Sequence, residues 1–382
     1  MDAFYASVEL LRYPQLAGQP VVIGGGRRSA DGPLAQGGRL PLEQFPRLAD
    51  YVGRGVITTA TYPARAFGVG SAMGLMKAAR LCPQAILLPA DFDEYRRFSR
   101  LFKSTIVEIA PQMEDRGVDE VYIDFTAVPG GQREGGRVLA RLIQQAILER
   151  TGLTCSIGVA PNKLLAKMAS EFDKPNGISI LHETDLEARI WPLPARKING
   201  IGPKADAKLA ALGIRTIGDL AARDRAWLVE RFGKAYGAWM HEAAWGRDER
   251  PVVTESEPVS VSRETTFDRD LHAVHDRAEL SAIFTRLCEK VAEDLRRKGY
   301  AGRTIGIKLR YDDFRTATRD QTIAAHTADA RAIRQAAGQC LKRVPLERRL
   351  RLLGVRVGAL RRLDGDGAAA APAAPDPNGR LF

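Results

Sequence analysis

The sequence predicts a multidomain α+β protein. Three observations predict it. Strand-like and helical segments alternate over residues 1–190, short helical stretches broken by Gly-rich turns fill 191–247, and strand-like and helical segments return over 258–362. At 382 residues the chain is also too long for one ordinary domain. Residues 248–257 are polar, charged and proline-bearing, as a linker is. The stretch 363–382 is rich in Ala, Pro and Gly without an apolar period, so a disordered tail is expected there, ending in the apolar pair Leu381–Phe382.

Taken in order, residues 20–24 (PVVIG) read as a short buried strand. The following Gly25–Gly55 is rich in Gly, Arg and Pro with no sustained period, which suggests a surface insertion or ordered loop. Val56–Ala60 reads as a strand, and Tyr62–Leu81 as one or two helices parted at Gly68 and Gly70. Phe92–Ala110 spaces Phe98, Leu101, Phe102, Ile106 and Ile109 along one helical face. Val118–Phe125 is β-branched and aromatic, hence a strand. Gly136–Thr151 reads as a helix, Cys155–Val159 as a strand and Asn162–Phe172 as a helix. Beyond the linker, strand-like and helical segments follow at Val259–Phe267, Ala278–Lys298, Thr304–Tyr311, Ala328–Leu341 and Leu350–Val357.

Composition narrows the function. No run approaches the roughly 18 apolar residues of a membrane span. Asp2 stands where a secretory leader would carry basic charge, and no apolar core follows it. The four cysteines lie far apart and the five histidines form no ligand spacing, so reduced thiols in a cytoplasmic protein are expected and any metal must rest on carboxylates. The net charge is +11, and residues 258–362 carry most of it, with 23 basic against 13 acidic side chains. A basic module of that kind suits a polyanion such as nucleic acid.

The segment Val118-Asp119-Glu120-Val121-Tyr122-Ile123-Asp124-Phe125 sets three carboxylates in an otherwise apolar strand. Neighbouring strand side chains point to opposite faces, so Asp119 and Glu120 can share a metal only near a strand end or turn, which Gly117 allows. A strand end with solvated acids is the plainer alternative. Three further motifs keep this one company: Met1-Asp2-Ala3-Phe4-Tyr5-Ala6-Ser7-Val8-Glu9, Thr59-Ala60-Thr61-Tyr62-Pro63-Ala64-Arg65 running on to Phe67-Gly68-Val69, and Lys174-Pro175-Asn176-Gly177. In order and spacing, from the first residue to about Arg362, the chain resembles the Y-family DNA polymerases of the DNA polymerase IV (DinB-type) translesion group.

That resemblance implies a right-hand palm and fingers over 1–190, an all-α thumb with a helix-hairpin-helix over 191–247, and a little finger over 258–362. It implies a DNA-directed DNA polymerase that extends a primer 3′ end with low fidelity and copies past damaged template. Two Mg2+ ions, or Mn2+ in their place, are implied at Asp119, Glu120 and the main-chain carbonyl of Met1, stabilising the oxygens that gain charge during in-line phosphoryl transfer. Tyr5 falls at the steric-gate position against a 2′-hydroxyl, with Phe4 beside it; Thr59, Tyr62, Arg65 and Lys174 are implied at the triphosphate. Read from the residues alone, Phe4 and Tyr5 are core aromatics, and Arg65 and Lys174 solvated surface.

The chain departs from the family pattern at its start. An Asp-x-Asp is usual there, and Met1 aligns with its middle residue, so Asp2 is the second Asp and the first is absent. Two readings follow: a start placed downstream of the true one, or a non-catalytic DNA- and clamp-binding protein. Gly200-Ile201-Gly202-Pro203-Lys204 resembles the phosphate-gripping turn of a helix-hairpin-helix, where Gly lets backbone N–H groups approach closely; a plain helix-connecting turn is the alternative. Phe232-Gly233-Lys234 is a second, weaker candidate for such a turn. Arg263, Lys308, Arg310 and Arg315 lie on or near strands that could line a DNA groove. Leu381 and Phe382 resemble the end of a sliding-clamp-binding peptide, without its usual upstream glutamine. The implied partners are primer–template DNA, deoxynucleoside triphosphates and a sliding clamp, met by a monomer with no membrane.

Overall fold

The computed structural model describes residues 1–29, 34 and 40–363. They fall into two compact units that part between Glu255 and Ser256.

The first unit opens with α1 (Phe4–Arg12), β1 (Val21–Arg27), β2 (Ile57–Ala60), α2 (Tyr62–Arg65), α3 (Leu75–Leu81), β3 (Ile86–Ala90) and α4 (Phe92–Ile109). Strand β1 is central, antiparallel to β2 and parallel to β3. Helix α4 starts where the Asp91 side chain accepts the Glu94 N–H at 3.2 Å, satisfying a donor the first turn leaves free. Its buried stripe of Tyr95, Phe98, Phe102 and Ile106 keeps the expected helical spacing of three or four residues. Then come β4 (Met113–Asp115), β5 (Val121–Ile123), α5 (Arg137–Thr151), β6 (Ile157–Val159), α6 (Lys163–Ala169) and β7 (Ile178–Ile180). These four strands make two separate pairs, β4 antiparallel to β5 and β6 parallel to β7. The unit ends in four short helices: α7 (Pro203–Ala211), α8 (Ile217–Ala221), α9 (Arg225–Phe232) and α10 (Lys234–Ala244). Leu209, Ile214, Ile217, Leu220, Leu228 and Met240 bury their shared core.

In the second unit, β8 (Ser260–Leu271), α11 (Arg277–Lys298), β9 (Tyr300–Tyr311), β10 (Thr316–Thr327), α12 (Ala330–Leu341) and β11 (Leu350–Arg362) build a four-stranded sheet in the order β10-β9-β11-β8. Register places Ile305, Ile307 and Leu309 of β9 opposite Val357, Val355 and Leu353 of β11, on the face that α11 and α12 cover. Burial of each such side chain contributes about 1.5–3 kcal/mol. The alternate positions, Thr304, Lys308, Arg310 and Arg356 with Thr316 and Thr318 of β10, share the opposite face.

Three expectations change. The strand expected over Val118–Phe125 is regular only at Val121–Ile123, because the Arg116 N–H to Glu120 O bond (3.1 Å) closes a turn over 116–120. Gly25–Gly55 is more than a surface insertion: β1 runs on to Arg27, and Phe45 and Leu48 are buried, Phe45 edge-on to Tyr13 at 5.3 Å. Single-turn 3-10 helices bring Leu42 and Leu48 round, a period of three that a search for 3.6 or 2 does not detect. Strand β10 went unread because its sequence, TATRDQTIAAHT, has the polar character of an edge strand. The tail expectation, with Leu381 and Phe382, lies outside the described residues.

Candidate active site

The β4–β5 hairpin presents Asp119 and Glu120 at its turn rather than within the strand, as a shared site requires. Lys103 of α4 holds that turn, donating to Asp115 Oδ2 at 2.8 Å and to the Gly117 carbonyl at 2.7 Å. The Met1 ammonium donates to the Asp119 carbonyl at 2.8 Å, which brings the first residue to the carboxylate pair. Met1, Asp119, Glu120 and Lys174 all border one cleft of ≈860 Å3. Asp2 is buried and committed elsewhere: Oδ1 accepts from Ser156 Oγ at 2.7 Å and Oδ2 from the Asn176 N–H at 2.9 Å. It therefore anchors the Lys174-Pro175-Asn176 segment to the chain start.

Helix α1 positions the aromatic pair. Phe4 and Val8 face the core, whereas Tyr5 and Glu9, one position on, meet Tyr95 of α4. The Tyr5 ring stacks on Tyr95 at 4.2 Å and meets Phe92 edge-on at 5.9 Å. Tyr95 donates its hydroxyl to Glu9 Oε1 at 2.7 Å, and Arg28 holds Glu9 Oε2 at 2.6 Å. Burial, then the charge of Asp119, raises the pKa of Tyr5, so the phenol stands near the carboxylates. The pairing of Phe4 with Tyr5 at the nucleotide needs correction. Phe4 is 3% exposed and edge-on to Phe102, with no face left for a ligand.

The third motif lies across β2 and α2. Thr59 is buried. The Arg65 guanidinium lies over the Tyr62 ring at 4.9 Å, and Arg65 Nε donates to the Ala60 carbonyl at 3.0 Å. The Tyr62 hydroxyl is shut off from solvent and has no hydrogen-bond partner among the described residues. Burial and the charge of Asp2 raise its pKa, Arg65 opposes them, and Glu171 adds to the rise. Lys174 pairs with Glu171 at 2.7 Å. The structure thus brings Asp2, Tyr62, Arg65 and Lys174, from three separate motifs, together with Glu171, and of these Lys174 lines the cleft. An unpartnered buried hydroxyl beside the Arg65 guanidinium is a donor suited to an anionic acceptor.

Sequence reasoning missed Lys163 and Lys167. They stand at i, i+4 on α6 and reach carboxylates of the facing hairpin, Lys163 to Glu114 at 2.6 Å and Lys167 to Glu120. The spacing was the available signal. Burial lowers the Lys167 pKa, but the hydrogen bond it donates to Glu120 and the charges of Glu120, Glu171 and Tyr122 together outweigh burial and leave the ammonium above its ordinary value. Glu114 also accepts the Val253 N–H at 3.0 Å. Burial pushes the Glu114 carboxyl up, while Lys163 and that N–H together hold it below the usual range. Its contribution to stability is therefore present above the ordinary carboxylate value of 4.5 and is lost as the pH falls through the depressed one. Replacing Glu114 with Gln leaves the Lys163 ammonium buried without its counter-charge, at an expected cost of about 3 kcal/mol. Urea unfolding at neutral pH measures it; a midpoint equal to the parent's would mean the pair is solvated.

At the predicted hairpin, Gly200 has φ +116° and lies so close to Trp239 that a Cβ would come within 2.6 Å of the indole. Its carbonyl accepts the Tyr236 hydroxyl at 2.8 Å, and Tyr236 stacks on Trp239 at 5.3 Å. Gly202 then caps α7, with Lys204 exposed in the first turn. Gly233, at φ +89°, joins α9 to α10 in the same manner. In the second unit, Lys308 and Arg310 share the uncovered sheet face, but Arg263 lies on the helix side, where it binds Asp294 (Nη2–Oδ1 2.9 Å), and Arg315 pairs with Asp313 in the β9–β10 turn.

Asp119, Glu120 and the Met1 carbonyl are hard oxygen donors, a set that fits a magnesium-like cation completed by water or phosphate. Among the described residues no cluster of three acidic, His or Cys side chains forms, so the protein supplies few ligands to this site.

Family models match three regions of the chain. Residues 1–171 match the impB/mucB/samB family, 183–214 the IMS family HHH motif, and 258–369 the impB/mucB/samB family C-terminal domain. The DNA polymerase IV of Caulobacter vibrioides is 39% identical over 97% of this chain and 84% of its own length. That of Methanoculleus marisnigri is 37% identical over 94% and 92%. Among solved structures, a Y-family DNA polymerase chimera superimposes with a TM-score of 0.78 at 25% identity, over 94% of this chain and 96% of its own. DinB from Sulfolobus solfataricus gives 0.61 at 26%, over 95% and 98%. The protein class that these likenesses and the fold define is the DNA-directed DNA polymerase. Within it, the chain belongs to the impB/mucB/samB family, the Y-family polymerases of translesion synthesis.

Proposed function

We propose that Asp119 and Glu120 are the metal ligands with which this translesion polymerase adds deoxynucleotides to a primer 3′ end. The observation that carries the assignment is their place at a hairpin turn on the same cleft as Met1 and Lys174. Y-family polymerases use divalent metal; here it would be Mg2+, or Mn2+, as a pair of ions sharing these carboxylates and the Met1 carbonyl. When bound, the metal offsets the charge that builds on the attacking and leaving oxygens. Lys167 holds one oxygen of Glu120 and so fixes its rotamer, leaving the other as a donor. Arg65, Lys174 and the Tyr62 hydroxyl meet the triphosphate, Thr59 supports them from β2, and the Tyr5 ring underlies the sugar. No feature of the relatives favours a non-catalytic binder, since each is itself a polymerase.

DNA is gripped without regard to sequence, by backbone N–H groups at Gly200, Gly202 and Lys204 and by the uncovered sheet face with Lys308 and Arg310. A related solved structure is an insertion ternary complex of Dbh DNA polymerase, at 25% identity and a TM-score of 0.62. No helix among the described residues is long and apolar enough to cross a membrane, and all four thiols are buried and unlinked. We place the protein in the cytoplasm, acting as a monomer. Primer extension with and without Mg2+ tests the core of this reading; extension unaffected by chelation would end it.

Leu381 and Phe382 are proposed to seat in a clamp pocket. Residues 364–380 would tether them over about 20–25 Å root-mean-square, so that DNA and clamp contacts combine through effective concentration. Deleting the pair should leave single-nucleotide incorporation unchanged without clamp and remove most of the gain in product length with clamp loaded. Equal product lengths would mean the terminus has no partner.

A further inference from the structure

The β9–β10 hairpin closes with the Tyr311 N–H donating to the Arg315 carbonyl at 2.9 Å, which leaves Asp312, Asp313 and Phe314 as its loop. Within it the Phe314 N–H donates to the Tyr311 carbonyl at 3.0 Å. A loop of this length is ordinarily a type I turn followed by one left-handed residue, the position that glycine favours. Phe314 fills that position, at φ +66°, and among the described residues it is the one aromatic with a left-handed backbone. A bulky side chain there is strained. Burial offsets such strain in a core, yet Phe314 is 63% exposed. The hairpin tip therefore displays a ring that neither turn geometry nor core packing calls for.

What surrounds the ring is charge. The Arg351 guanidinium lies over it at 4.6 Å and is itself steadied by Asp270 at 3.9 Å. Arg315 and Arg348 meet Asp313 at 2.6 and 3.2 Å, and Arg348 also meets Asp312 at 2.8 Å. Both of these arginines are well exposed, so their pairs are weak and open to exchange for a phosphate. A groove for a protein partner would set further apolar side chains beside the ring, whereas here its near neighbours are arginines and aspartates. Cationic arms around one displayed aromatic suit a nucleobase, which is flat and joined to phosphates. Inside a duplex the faces of a base are covered by its neighbours in the stack, so the base that this ring can take is an unpaired one.

We propose that Phe314 is a stacking platform for an unpaired base of single-stranded DNA, with Arg351 behind the ring and Arg315 and Arg348 taking the adjoining phosphates. The proposal rests on the reading of the second unit as a DNA-binding module and adds to it a site for strand that has no partner. Every base has a π-face, so the platform is indifferent to sequence. Template that is not yet copied is unpaired strand of this kind. The left-handed backbone at Phe314 holds the ring out at the tip instead of letting it fold back on the sheet, so strain in the turn serves the display. The site is read by DNA affinity, without polymerase activity.

The test measures the affinity of the full chain, by fluorescence anisotropy, for a blunt duplex and for the same duplex with a 5′ overhang of about six nucleotides. Phe314→Gly removes the ring and relieves the left-handed strain, so its melting temperature should not fall below the parent's. It should bind the overhang substrate about tenfold more weakly, the scale of one base stack, and the blunt duplex as the parent does. With abasic sites throughout the overhang, the parent should drop to the variant's affinity and the substitution should have no further effect. Phe314→Trp should keep the parent's preference for the overhang. Equal weakening on both substrates, or a loss that persists on the abasic overhang, would overturn the platform. Unchanged affinity of Phe314→Gly for the overhang would overturn it as well and leave the ring to an apolar protein partner. No binding of either substrate by the parent would end the DNA-binding reading itself, and the platform with it.

Discussion

Asp119→Ala is expected to reduce primer extension by on the order of 10²–10³-fold, the scale seen when one preorganised electrostatic contact to developing charge is removed. Asp119 sits at the hairpin turn with its carbonyl holding Met1, so its carboxylate is the part of the residue free to serve a cation. The substitution keeps the main-chain bond and changes no residue of the glycine turns at 200–204 and 232–234 or of the basic sheet face. DNA affinity should therefore stay within about twofold of the parent's. Single-turnover extension and fluorescence anisotropy on the same primer–template separate the two effects. Parallel loss of both would assign Asp119 a structural role, and unchanged extension would remove it from the metal site.

Tyr5→Ala is expected to lower discrimination against ribonucleotides by about 10²-fold, while Tyr5→Phe keeps it, because the ring supplies the steric clash. The stack on Tyr95, itself held by Glu9 and Arg28, fixes the ring against small displacements. Emptying that position should let a 2′-hydroxyl into the space the ring held. Incorporation efficiencies of matched deoxy and ribo substrates give the ratio. A ratio unchanged in the Ala variant would make Tyr5 a packing residue like Phe4.

Legibility followed the range of the signal. Helix α4 was readable to within a residue because its apolar stripe and Asp91 cap lie inside one continuous segment. The last helices of the first unit were readable as short stretches parted by glycines, since Gly200 and Gly233 occupy backbone conformations that other residues resist. Strands β3, β4 and β7 span only three to five residues, too few for alternation to rise above chance. Phe4 was drawn into the site by adjacency in sequence, and a helix turns adjacent residues about 100° apart. Arg263 was drawn towards DNA by its charge, although strand alternation puts it on the face that α11 covers.

By itself the sequence determined the family and the chemistry, because the residues that announce them are local: Asp119 beside Glu120, Tyr62 three positions before Arg65, Lys174 before Pro175. Only the tertiary structure decided what each of them meets. Lys167 finds Glu120 across 47 positions of chain and Tyr95 finds Glu9 across 86, while Met1 meets the Asp119 carbonyl and Asp2 the Thr154 carbonyl. Such contacts are set by how helices pack on strands, and packing depends on the whole unit rather than on any window of its sequence.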